Sequence, residues 1–176
     1  VQNISKSVDN TTTGQIIANV TSTATINSLS ISSISVRNAA TKYINSVLSV
    51  ACPVTSLEVS GFLIENEAYT TSSNALLKCT SGANVASLIL ANGTAKATKY
   101  LFEITSGVTL VNVVFNGVRA TGCSRLIETS SALDVTLVGV SIASPYSEAI
   151  NVLAGASLTV KGAGCYFDPA KDGVSR

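Results

Sequence analysis

The sequence predicts an all-β fold, a right-handed parallel β-helix of about six coils, and three observations carry that expectation. Short apolar segments recur at a spacing of about 25 residues. Within each segment apolar and polar residues alternate, which is the period of a strand with one buried face. A two-residue step interrupts the alternation, so the chain turns a corner in each repeat.

The segments are LSISSISVRN from Leu29, LEVSGFLIEN from Leu57, ANVASLILAN from Ala83, VTLVNVVFNG from Val108, LDVTLVGVSI from Leu133 and LTVKGAGCYF from Leu158. Aligned on a fixed spacing, they give four apolar files. The first is Leu29, Leu57, Ala83, Val108, Leu133 and Leu158. The second is Ile31, Val59, Val85, Leu110, Val135 and Val160. The third is Ile34, Phe62, Leu88, Val113, Val138 and Ala163, and the fourth is Val36, Ile64, Leu90, Phe115, Val140 and Cys165. A further apolar run follows four of the segments: ALLKC from Ala75, YLFEI from Tyr100, RLIET from Arg125 and AINVL from Ala149. Three strands per repeat, each pairing with its equivalent one coil away at about 4.8 Å, line a narrow prism with like residues. One coil cannot bury its own apolar face, so several must stack.

Asn38, Asn66 and Asn92 follow the fourth file by two residues. Stacked amides can form a hydrogen-bonded ladder, or the three are surface turn residues. A laddered amide cannot carry a glycan, so the two roles open to Asn92 exclude each other.

Residues 1–26 read as an N-terminal segment with an incomplete first coil, in which QIIANVT from Gln15 is a third strand. Residues 27–170 are the β-helix. Residues 171–176 are a tail following the Asp-Pro and Asp-Gly turn signals of FDPAKDGVSR. Neither end carries an amphipathic helix as a cap, so open coil edges are expected. The stretches LFEITSGVTLVNVVFNG and RLIETSSALDVTLVGVSI resemble coils of pectin-lyase-like and autotransporter-type surface β-helices, over about residues 29–170. The resemblance is one of architecture.

Composition narrows the function. Hydrophobic residues make up 46% and charged residues 12%, with a net charge of +1, so there is no basic field to attract nucleic acid. No apolar run is long enough to span a membrane as a helix. Histidine is absent, which removes the commonest general base and metal ligand. No cofactor or metal is expected. Ser and Thr number 44, and among them fall four Asn-x-Ser/Thr triplets, at Asn3, Asn10, Asn19 and Asn92. These are glycosylation candidates in a secretory context.

Glu103 and Glu128 occupy equivalent positions in successive repeats, with Lys78 next in the file. Adjacent carboxylates suit retaining glycoside hydrolysis, whereas two solvated strand residues would show the same spacing. Glu65 and Glu67 read as a solvated turn. Arg119 and Arg125 near Cys123 form a candidate small-anion site. Cys52 and Cys79 each end a third apolar run about one coil apart, which makes them the disulfide candidate. Cys165 is expected as a buried thiol. The mixed file Ser30, Glu58, Asn84, Thr109, Asp134, Thr159 lacks the regular Thr array that ice binding needs.

Two outward stripes point to self-association. One is Leu63, Ile89 and Val114. The other comes from the adjacent apolar pairs Leu76–Leu77, Leu101–Phe102 and Leu126–Ile127, of which one member should point out of the prism; Leu77, Phe102 and Ile127 are the candidates. Cover by the chain's own loops is the competing explanation. The expected role is a non-catalytic extracellular or cell-surface structural protein, a self-associating subunit of a filament, appendage or adhesin. The alternative is a carbohydrate-binding or polysaccharide-cleaving module, including a phage tailspike type, with Tyr69, Tyr100 and Tyr146 as stacking candidates.

Overall fold

The computed structural model describes residues 5–8, 15–38, 44–66, 75–143, 148–153, 155–168 and 174–175. They form a right-handed parallel β-helix of about five turns with a repeat of about 25 residues. Every strand pairing is parallel, and the strands fall into sheets of eleven and seven. The larger sheet bends into two faces. The first face carries Ile26–Ser32, Pro53–Ser60, the leading parts of Asn84–Lys96 and Thr109–Thr121, then Leu133–Val138 and Leu158–Ala163. The second face carries Ser5–Val8, Ser35–Asn38, Leu63–Asn66, the trailing parts of the two long strands, Ser141–Ala143 and Tyr166–Phe167. The smaller sheet is the third face: Gln15–Val20, Ile44–Val50, Ala75–Cys79, Tyr100–Ile104, Arg125–Thr129, Ile150–Val152 and Val174–Ser175.

One left-handed residue per turn makes the corner between the first two faces. Ser33, Gly61, Asn92, Gly117, Gly139 and Gly164 have φ between 53° and 62°, the region that Gly and Asn enter most readily. They lie above one another: a Cβ on Gly61 would sit 3.5 Å from the Ser33 nitrogen, and one on Gly164 4.0 Å from that of Gly139. The corner reverses the pleat, so residues on either side of it both reach the core.

This corner corrects the files. Val85 stacks on Leu110 as expected, but Val135 stacks on Val113 rather than on Leu110. Leu57 stacks on Leu88 rather than on Ala83. The inward file is therefore Leu29, Leu57, Leu88, Val113, Val135 and Val160, with Ile31, Val59, Leu90, Phe115, Leu137 and Gly162 beside it. The physical reason is that alternation breaks twice in each of the first four turns of this face, and only at the corner in Leu133–Val138. One break is an outward pair on the first face, such as Ala86–Ser87 or Val111–Asn112. The other is the left-handed corner. A fixed spacing equates the two breaks, while the loops that join the faces differ in length. Val138, placed inside by that spacing, points out and is 39% exposed.

Asn38 and Asn66 do pair, and Asn66 Nδ2 donates to the Ala97 carbonyl at 2.9 Å. Asn92 is not in that file. It occupies the left-handed corner, exposed to solvent, so the three-asparagine ladder does not form. Gln15–Val20 is a third-face strand as expected. Val174–Ser175, assigned to the tail, instead pairs with Ile150 and Asn151.

The third face also overturns an expectation. Both members of Leu76–Leu77, Leu101–Phe102 and Leu126–Ile127 are buried in one core cluster. The strands bend at their start. The amides of Leu126 and Ile127 both donate to the Ala149 carbonyl, and this shared bond breaks the alternation so that adjacent side chains face inward. Leu77, Phe102 and Ile127 are thus core residues, and Phe102 packs on Phe115 with ring centroids 6.1 Å apart.

In the file that follows the corner, one large residue sits against a glycine. The ring of Phe62 lies over Gly93, where an added Cβ would meet ring carbons at 2.2–2.3 Å. Gly93→Ala is expected to lower unfolding stability by about 1–3 kcal/mol through overpacking. In a Phe62→Val background the same change should cost less than half as much, as urea unfolding of the four proteins will show. Equal penalties in both backgrounds would mean that the ring does not fix Gly93.

Candidate functional site

The chemically richest surface is the outside of the third face. Two files cross it. One is Ser46, Ala75, Tyr100 and Arg125; the other is Ser49, Lys78, Glu103, Glu128 and Asn151. Two inward residues separate the files, so each strand presents outward residues three positions apart.

Glu103 and Glu128 stack on adjacent rungs with Lys78 next to Glu103, as the sequence predicts. Two carboxylates at that spacing repel, and each is met by a cation. Lys78 Nζ donates to Glu103 Oε1 at 2.9 Å. Arg125 bridges two carboxylates, Nη1 to Glu128 Oε2 at 2.5 Å and Nη2 to Glu148 Oε1 at 3.0 Å. Asn151 Nδ2 donates to Glu128 Oε2 at 3.2 Å. The paired side chains are only 14–21% exposed, so solvent screens these contacts less than those of an open surface pair.

Tyr100 lies under the cluster. Lys99 Nζ sits 4.8 Å from its ring centroid and Arg125 Cζ 5.8 Å, both within cation–π range. Burial pushes the Tyr100 hydroxyl pKa up, and its hydrogen bond with Glu128 adds to the rise. For Arg125, burial opposes the charge, but Glu148 and Glu128 outweigh it and its pKa rises. Glu103 Oε2 and Arg125 Nε are buried without a hydrogen-bond partner.

Both carboxylates of the candidate hydrolytic pair therefore face cations on a covered surface. Their arrangement suits fastening rungs together. Glu148 is the member that sequence spacing missed, because it lies outside the repeating strands. Tyr100, a stacking candidate from the sequence, is instead buried beneath the charged cluster.

The remaining candidates are scattered. Asn19 and Asn92 are exposed, while Asn3 and Asn10 lie outside the described residues, as do Glu67, Tyr69 and Tyr146. Glu65 pairs with Arg37 at 2.9 Å on the surface. Arg119 is exposed on the second face, apart from the engaged Arg125. The outward stripe is broken. Leu63 stands between Ser35 and Thr94, whereas Ile89 and Val114 stand together between Glu58 and Thr136; all three are half-buried.

All four cysteines are free thiols. Cys79 stacks on Val50 rather than on Cys52, because Cys52 lies beyond the end of its strand, with its thiol donating to the Val20 carbonyl at 3.6 Å. Cys123 accepts from Thr98 Oγ1 at 3.0 Å. Cys165 is half-buried. Among the described residues, no cluster of His, Cys, Asp or Glu is arranged to hold a metal ion and no helix is long and apolar enough to cross a membrane. No family model, curated protein or solved structure matches the chain.

Arg125→Met leaves Glu128 and Glu148 facing each other without a cation. It should cost about 1–3 kcal/mol in denaturant unfolding, the buried-pair value reduced for partial exposure; no loss would mean that the bridge fastens nothing. Burial pushes the Cys79 thiol from 9.0 up to about 12. A raised folded pKa means that this contribution is complete below about 9 and fades as pH climbs toward 12. A thiol reagent at pH 8 should therefore modify Cys165 first and Cys79 only on unfolding. Rapid native labelling of Cys79 would contradict its burial.

Proposed function

We propose that this chain is a non-catalytic structural β-solenoid that self-associates end to end, as a subunit of an extracellular or cell-surface filament, appendage or adhesin. One observation carries the reading. In the file Leu29 to Val160, Val135 is 2% exposed and Val160, on the last described rung of the first face, is 41% exposed. Around it Leu158, Cys165 and Phe167 are only half-buried and Leu153 is 40% exposed. The Leu158–Ala163 strand presents a backbone edge on which no described strand pairs. An apolar file that stops short beside an open parallel edge is a template for another rung. The lateral stripes lend no support, since one is core and the other is interrupted. Exposed Asn19 and Asn92 are compatible with a secretory setting.

The carbohydrate reading is weaker, because Glu103, Glu128 and Tyr100 are covered and engaged with one another. The experiment for the structural reading is sedimentation velocity across a concentration series. The parent should associate, and Val160→Lys, which places a charge on the terminal file, should remain monomeric with an unchanged circular-dichroism spectrum. A parent that is monomeric at every concentration would sink the proposal.

A further inference from the structure

Stacked like charges are answered from within the chain on the third face, where Lys78 meets Glu103 and Arg125 meets Glu128. The second face holds the opposite case: two neighbouring cations, Lys96 and Arg119, with no ion-pair partner among the described residues. Both stand on the long strands in the middle of the solenoid, where Arg119 lies on Thr94 and Lys96 on Thr121. Ala95 and Ala120, between them, are buried. Alternation therefore turns the other four outward, and all four are exposed. They mark the corners of a rectangle of roughly 4.8 by 6.6 Å, one rung by two residues. The cations occupy one diagonal and the threonine hydroxyls the other. Ser141 follows Arg119 on the next rung. Glu65 lies beside Lys96 on the opposite side, but it is already paired with Arg37 at 2.9 Å. The cation that accompanies Arg119 is thus Lys96 across one rung, and not Arg125, which is engaged on the third face.

We propose that Lys96, Arg119, Thr94 and Thr121 form a subsite for a tetrahedral monoester oxyanion, sulfate or phosphate, carried on a polysaccharide. The donor set selects the ligand. Lysine and arginine only donate, and two adjacent cations call for a negative group that only accepts. A monoester offers three free oxygens, enough for the Arg119 guanidinium, the Lys96 ammonium and a threonine hydroxyl together. A carboxylate has two, and one guanidinium takes both side-on. A phosphodiester also leaves two, and two cations fall short of the basic field that nucleic acid needs. The surroundings select the carrier. The face is open, so a free ion gains little from it, whereas a polymer that repeats the ester raises its effective concentration. A peptide carrier would add to a backbone edge, but both strands are paired on both sides here. The neutral neighbours are hydroxyls, Thr94, Thr121 and Ser141, which match the hydroxyls flanking an ester on a sugar ring.

The test measures binding of the full chain to dextran sulfate, with uncharged dextran and a polyuronate as comparisons. The parent should bind dextran sulfate, bind the polyuronate more weakly and ignore dextran. Arg119→Ser and Lys96→Ser should each weaken binding about tenfold, the loss of one charge-assisted contact. Both side chains are exposed, so the circular-dichroism spectrum should not change. Lys161→Ser removes an exposed cation from the first face and should leave the affinity within about twofold, since a distant exposed charge is largely screened. A parent that does not bind, or equal losses in all three variants, would overturn the inference; the second result would mean that net charge alone is read. Polyuronate bound as tightly as dextran sulfate would overturn the tetrahedral ligand, and inorganic sulfate competing at equal sulfate concentration would overturn the polymeric carrier. None of these residues lies on the exposed last rung. A chain that stays monomeric in sedimentation is therefore still expected to bind, and an associating chain that fails to bind sinks this inference alone.

Discussion

Parallel backbone pairing between successive turns dictates which side chain lies on which. A rung cannot slide without moving its whole apolar set off the core. The left-handed residue at each corner is what lets this pairing continue around the prism. It turns the strand and reverses the pleat at one fixed point per turn, and it recurs from Ser33 to Gly164. The core files, the stacked charges and the exposed end all follow from that register.

The same constraint explains why a chain so poor in charge concentrates its ion pairs on one covered face. Stacking brings Glu103 and Glu128 together whether or not that is favourable, so Lys78 and Arg125 are needed beside them. Glu148 reaches Arg125 from outside the repeating strands, tying a connecting segment to the ladder. At the ends the constraint works in the opposite sense. A file such as Leu57 to Val135 buries each residue between two neighbours, whereas Leu29 and Val160, at its described ends, each have one.

Much of this was legible in the sequence and some was not. The alternation of VTLVNVVFNG and ANVASLILAN identifies the fold and even the correct pairing of Val85 with Leu110, because the spacing between those two turns matches the mean repeat. The Glu103–Glu128–Lys78 file was legible for the same reason. Leu57 on Leu88 and Val113 on Val135 were not, since the outward pair Val111–Asn112 and the corner Ser60–Gly61 look alike as two-residue interruptions. Leu77, Phe102 and Ile127 were misplaced because period-two reasoning assumes an unbent strand. The proposed Cys52–Cys79 bridge failed on the same unequal spacing.

The register between the fourth and fifth turns is the most direct test, because mean repeat and observed pairing disagree there by several residues. Val114 pairs with Thr136, whereas a constant 25-residue spacing would set it against Gly139. Outward thiols in Val114→Cys/Thr136→Cys should form a disulfide under mild oxidation, read by mass spectrometry of the digested protein, and Val114→Cys/Gly139→Cys should not. Efficient closure of the second pair with none of the first would contradict the register, and with it the identity of the exposed last rung.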